Sequence, residues 1–86
     1  MEIKDLIKIV RKKILHKLEV DELIIIDKTS MHIRHASHKL GKYHLKVTIK
    51  SNMLKHLSKL ESSKLIYKII KLELRDHIHS IQLKIN

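Results

Sequence analysis

Tyr43, Leu45, Val47 and Ile49 alternate with His44, Lys46, Thr48 and Lys50 over eight consecutive residues. Side chains two apart lie on the same face of a strand, so residues 43–50 predict a strand with one buried and one wet face. Such a strand needs an apolar layer against it, and the chain supplies one in a different period. Ile3, Leu6, Ile7, Val10, Ile14 and Leu18 recur at the spacing that keeps side chains on one face of a helix, which predicts a first helix from residue 3 to about 18. Lys4, Lys8, Arg11, Lys12, Lys13 and Lys17 occupy its other faces and read as a solvated surface.

The rest of the chain divides in the same way. Leu23, Ile24, Ile25 and Ile26 are too few for a helix and rich in β-branched residues, so they predict a strand that ends near Asp27. Residues 28–42 hold His32, His35, His38 and Gly41 without a sustained apolar period and read as a loop. Ser51 is placed to cap a short second helix carrying Met53, Leu54, Leu57 and Leu60. Ser62 or Ser63 is placed to cap a third, with Leu65, Ile66, Ile69, Ile70 and Leu74 inward and Lys64, Lys68, Lys71 and Arg75 along the opposite side. Ile81, Leu83 and Ile85 alternate with Ser80, Gln82 and Lys84 as a closing strand. The predicted order is α-β-β-α-α-β, an α/β (α+β) chain with a three-stranded mixed sheet packed on helices.

Eighty-six residues fit a single domain over 1–86, because so small a chain cannot divide its core. Without Cys there is neither a disulfide framework nor a thiolate metal site, and any thiol chemistry must come from a partner. No Pro and one Gly leave little room for flexible linkers. A net charge of +10 favours anionic partners or plain solubility. The longest apolar run, residues 23–26, is far short of the roughly 20 residues that cross a bilayer. Glu2 and Asp5 interrupt the basic N-terminus, and no small-residue cleavage site follows, so a cytoplasmic protein is expected.

The topology has a chemical consequence. The segment 51–78 is long enough for a helical crossover, which makes the second and third strands parallel and starts them at one end of the sheet. His77 and His79 then meet His44 and the loop histidines His32, His35 and His38, so six of the eight histidines converge. Neutral imidazole offers one nitrogen to a transition metal and keeps the other for a supporting hydrogen bond. One difficulty is local: His79 shares its parity with Ile81, Leu83 and Ile85, and a strand that began early would turn it to the core. Catalytic signatures are missing, since the serines lack flanking elbow glycines, Asp27, Glu61, Glu73 and Asp76 are scattered, and one glycine cannot build a phosphate loop. The chain does not read as an enzyme.

At these residues the chain resembles the BolA family. Asp27-Lys-Thr29-Ser-Met-His32-Ile-Arg34-His35 is similar to the family's Asp-x-Ser-x-x-His-x-Gly-His stretch, His44-Leu45-Lys46-Val47 to its His-Phe-Lys-Val strand, and Ser51 to its post-strand Ser. Tyr67, Glu73, Ile78 and His79 fall where the family has a helix Tyr, a helix Glu and a Val-His pair. Departures are Arg34 in place of a Gly, Leu54-Lys55-His56 where a Gly usually follows the short helix's aromatic, and Ser62-Ser63-Lys64 in place of a basic cluster.

The resemblance implies a class II KH-like fold of the order derived above. It also implies a non-enzymatic adaptor, monomeric when alone, that pairs with a monothiol glutaredoxin and shares a [2Fe–2S] cluster with it and with glutathione. The ligands carried over are His79 and the loop His32, with His35 as the alternative loop ligand. A second implied role is a DNA-binding transcriptional regulator, for which Lys55, Lys59, Lys64, Lys68 and Lys71 on the second and third helices would meet phosphates. Against that role, the chain lacks a Gly-x-x-Gly clamp and has two Tyr but no Phe or Trp for stacking.

Overall fold

The computed structural model describes residues 1–31 and 42–86. The N-terminal apolar period forms α1 (Ile3–Lys17), whose Leu6, Val10 and Ile14, spaced by four, are fully buried. Asp5 in its first turn and His16 and Lys17 in its last complement the helix dipole. Arg11 Nη1 donates to the Leu23 carbonyl (2.9 Å) and ties α1 to the first strand.

β1 (Glu22–Asp27) pairs antiparallel with β2 (Tyr43–Lys50), and β3 (Ile78–Ile85) pairs parallel with β2 on its other side. The mixed three-stranded sheet is the one the sequence predicts. Alternation sorts the two faces. Leu23, Ile25, Leu45, Val47 and Ile49 join Leu6, Val10, Ile14, Ile66, Ile70 and Ile78 in one apolar core, and burial of each such side chain is worth about 1.5–3 kcal/mol. Ile24 and Ile26 stand on the other, outer face and are 42% and 41% exposed.

The crossover between β2 and β3 holds α2 (Asn52–Lys55), α3 (Lys59–Ile69) and α4 (Lys71–Asp76). Ser51 caps α2 as expected, accepting from the Leu54 N–H (3.3 Å) and donating to the Glu19 carbonyl (2.9 Å). That helix stops after one turn, so Leu57 and Leu60, expected on its buried face, are 37% and 65% exposed.

The next cap is also displaced. α3 starts after Ser58 rather than Ser62 or Ser63, because Ser58 and Glu61 satisfy each other. The Ser58 hydroxyl accepts from the Glu61 N–H (3.1 Å) and donates to the Glu61 carboxylate (2.9 Å). Ser62 lies within the first turn, buried, and donates back to the Ser58 and Lys59 carbonyls (3.0 and 3.1 Å).

The helix predicted to run on to Leu74 bends at Ile70 (φ −107°, ψ 28°) and resumes as α4. Beyond the bend the buried position is Glu73, and Lys13 of α1 donates to both of its carboxylate oxygens (2.9 and 2.7 Å). Among the described residues no helix is long and apolar enough to cross a membrane.

Candidate functional site

Parallel pairing of β2 and β3 brings His44, His77 and His79 to one end of the sheet, as the topology predicts. The Tyr43 N–H donates to the His77 carbonyl (2.9 Å), and the His77 N–H caps α4 on the Glu73 carbonyl (2.8 Å). The exit of β1 reaches the same end. The Lys28 N–H donates to the His44 carbonyl (2.7 Å), and Thr29 Oγ1 accepts from the His44 N–H (3.2 Å). The Asp27 carboxylate accepts from both the N–H and the hydroxyl of Thr29, which shapes the turn out of the strand. Lys42 Nζ donates to the Arg75 carbonyl (3.1 Å), so the start of β2 is also tied to the end of α4.

A bulge decides where His79 points. β3 begins at Ile78, earlier than the alternation of Ile81, Leu83 and Ile85 predicts, and early starting was the case expected to turn His79 inward. The register overrides that expectation: Tyr43 pairs with Ile78 but His44 pairs with Ser80, leaving His79 as an extra residue. An inserted residue resets the alternation. Ile78 faces the core at 2% exposure, Ser80 faces outward beside His44, and His79 joins the outer side.

There His79 Nδ1 lies 3.3 Å from His44 Nε2, with the rings edge to face and their centroids 4.9 Å apart. His44 Nδ1 in turn meets Ser80 Oγ (2.5 Å). His44 is 5% exposed, whereas His79 is half-buried, and His79 Nε2 has no hydrogen-bond partner among the described residues. Among the described residues the ring is therefore anchored at one nitrogen and open at the other. A donor nitrogen supported in this way suits a transition metal.

The remaining predicted residues divide. His32 and His35, the loop ligands implied by resemblance, and His38 lie outside the described residues. Among the described residues no group of three or more His, Asp or Glu side chains is arranged to hold a metal ion. His16 stands at the far end of α1, and His56 Nδ1 meets the Asn52 carbonyl (2.7 Å). Lys55, Lys59, Lys64, Lys68 and Lys71 are all exposed. At the end of α4 the Arg75 guanidinium grips the Asp76 carboxylate (2.8 and 2.9 Å), and these hydrogen bonds hold Asp76 below the usual carboxylate range and raise Arg75. The sequence reading gave Ser80 no role, since only the strand register shows that it faces His44.

The profile of the BolA-like protein family matches residues 14–86, which takes in the whole sheet with His44, His79 and Ser80. The chain belongs to the BolA-like family. BolA-like structures share its architecture. The BolA domain of SufE1 from Arabidopsis thaliana is similar with a TM-score of 0.75 at 22% identity, covering 100% of this chain and 93% of that one. BolA1 from Arabidopsis thaliana is similar with a TM-score of 0.74 at 26% identity, covering 90% and 85%. A bol-like protein from Babesia bovis gives 0.70 at 18% identity, covering 91% and 79%. No curated protein sequence matches the chain.

Proposed function

We propose that this BolA-like chain is a non-enzymatic adaptor that pairs with a monothiol glutaredoxin and co-ligates a [2Fe–2S] cluster in iron–sulfur cluster trafficking or iron-dependent regulation. The observation that carries the reading is the bulged His79, whose Nδ1 is held by His44 while Nε2 meets no partner among the described residues. The donor chemistry fits a shared cluster. A chain without Cys offers imidazole nitrogen but no thiolate, so thiolate sulfur comes from the glutaredoxin and glutathione. His32 is the second ligand in this reading, with His35 as the alternative, both from the segment 32–41. Replacing thiolate by imidazole on one iron raises the cluster's reduction potential.

Were Nε2 to hold iron, His79 would carry its proton on Nδ1 and donate it to His44 Nε2, and His44 Nδ1–H would donate to Ser80 Oγ. This chain of hydrogen bonds fixes the tautomer and the plane of the ligating ring.

The test is reconstitution with a monothiol glutaredoxin, glutathione, iron and sulfide, comparing wild type with His79→Ala, His32→Ala and His35→Ala. Loss of His79 is expected to change the visible absorption and circular dichroism of the mixture, and one of the two loop variants to do the same. Identical spectra for all four proteins would remove the site.

A DNA-binding role is the second reading, favoured by the exposure of Lys55, Lys59, Lys64, Lys68 and Lys71. Binding of that kind weakens steeply with salt and is indifferent to His79→Ala, which separates it from the first reading.

A further inference from the structure

The outer face of the sheet carries a second constellation. Strand register sets its side chains in rows, with Lys28, His44 and Ser80 in one and Ile26, Lys46 and Gln82 in the next. Lys28, His44, Lys46, Ser80 and Gln82 line a pocket of about 260 Å³ there, with Leu45 and Ile81 between them. Lys28, the residue after β1, and Lys46 on β2 take diagonal positions, and both are half-buried.

Neither lysine has a carboxylate partner among the described residues, where the ion pairs are Lys13–Glu73 and Arg75–Asp76. Asp27, next in sequence to Lys28, is engaged by Thr29, and Glu22 lies at the other end of the sheet opposite Lys50. Like charges carried on diagonal positions repel each other, and an anion between them relieves that repulsion. The same pocket offers a hydroxyl and a carboxamide, both able to donate to oxygen. A cation would meet the repulsion of both ammonium groups, and an apolar ligand would leave the polar walls unsatisfied.

We propose that the pocket framed by Lys28 and Lys46 on the outer sheet face is an oxyanion site, with Ser80 and Gln82 donating to the bound carboxylate or phosphate group. This goes beyond the cluster reading and needs no iron or glutaredoxin.

Amide NMR titration of the isotopically labelled chain at constant ionic strength tests it, with glutarate and inorganic phosphate as separate probes. Saturable shifts centred on Lys28, Lys46, Ser80 and Gln82 are expected. Each Lys→Gln change, Lys28→Gln or Lys46→Gln, should weaken binding about tenfold, the effect of losing one charge-assisted hydrogen bond. Lys50→Gln, at the far end of the same face, controls for net charge and should leave the affinity near that of wild type. Unchanged amide positions in α1 and α3 verify the fold, and either single variant suffices for the comparison. Saturation by glutarate assigns a carboxylate ligand, and saturation by phosphate alone assigns a phosphate. Shifts that fail to saturate with both anions, or equal weakening in Lys50→Gln and the pocket variants, would overturn the site.

Discussion

His79 Nδ1 rests 3.3 Å from His44 Nε2, and His44 Nδ1 meets Ser80 Oγ, so the aim of the proposed iron ligand depends on two neighbours that bind no iron. Partners of this kind typically matter by 10–100-fold in metal affinity, which sets the scale of a test at Ser80. Ser80 is exposed, so Ser80→Ala removes the relay's last acceptor without opening the core. We expect the melting temperature to hold while cluster affinity falls about tenfold, followed by visible circular dichroism during competition with a chelator. Equal affinity for variant and wild type would show that His79 needs no support from beneath. The meeting of His44 and His79 was legible, because a crossover over 51–78 starts β2 and β3 at one end of the sheet. Ser80 was not, since nothing in its immediate sequence says which strand residue it faces.

The elements are joined by a small number of polar contacts whose loss is measurable. Lys13 on α1 holds the Glu73 carboxylate on α4, and Glu73 is 7% exposed. Lys13→Met strands that carboxylate away from water, at an expected cost of about 1–3 kcal/mol in urea unfolding. Lys13→Met combined with Glu73→Leu is expected to recover part of that loss, and a double variant as unstable as the single one would refute the ion-pair account. At α3, Ser58→Ala removes a cap that also binds Glu61, and about 1 kcal/mol of stability is expected to go with it, read in the same unfolding experiment.

The Arg75–Asp76 pair makes stability depend on acid. Asp76 is held below its unfolded value, so its contribution is complete above the ordinary carboxylate range and is lost as pH falls through the lowered folded value. The pair lies on the surface and the effect is correspondingly small. Asp76→Asn is expected to flatten the melting temperature profile slightly below about pH 4. A profile unchanged by the substitution would show that the pair contributes nothing.

At the scale of the whole molecule, the proposed cluster would join imidazoles of the segment 32–41 and of β3 to sulfur from another protein, and imidazole ligates only when neutral. Assembly with the glutaredoxin is therefore expected to weaken as pH falls through the histidine range, from about 7.5 to about 5.5. Equal occupancy at both ends would point to a donor other than histidine. By itself the sequence determined the first helix, the places of the three strands around a helical crossover, the two faces of β2, and the family. A helix or strand with one buried side repeats its apolar residues at its own period, and a family motif keeps its spacing along the chain. Only the tertiary structure decided the cap at Ser58, the bend at Ile70, the bulge at His79 and the nearness of Lys28 to Lys46. Each depends on competition between neighbouring turns or on pairing between strands distant in the chain. The bulge is the clearest case: residues 77–80 contain no glycine to mark it, and it exists because Tyr43 and His44 take partners two residues apart on β3. Alternation is local and can be read along one segment. Register belongs to two strands at once and appears only when they meet.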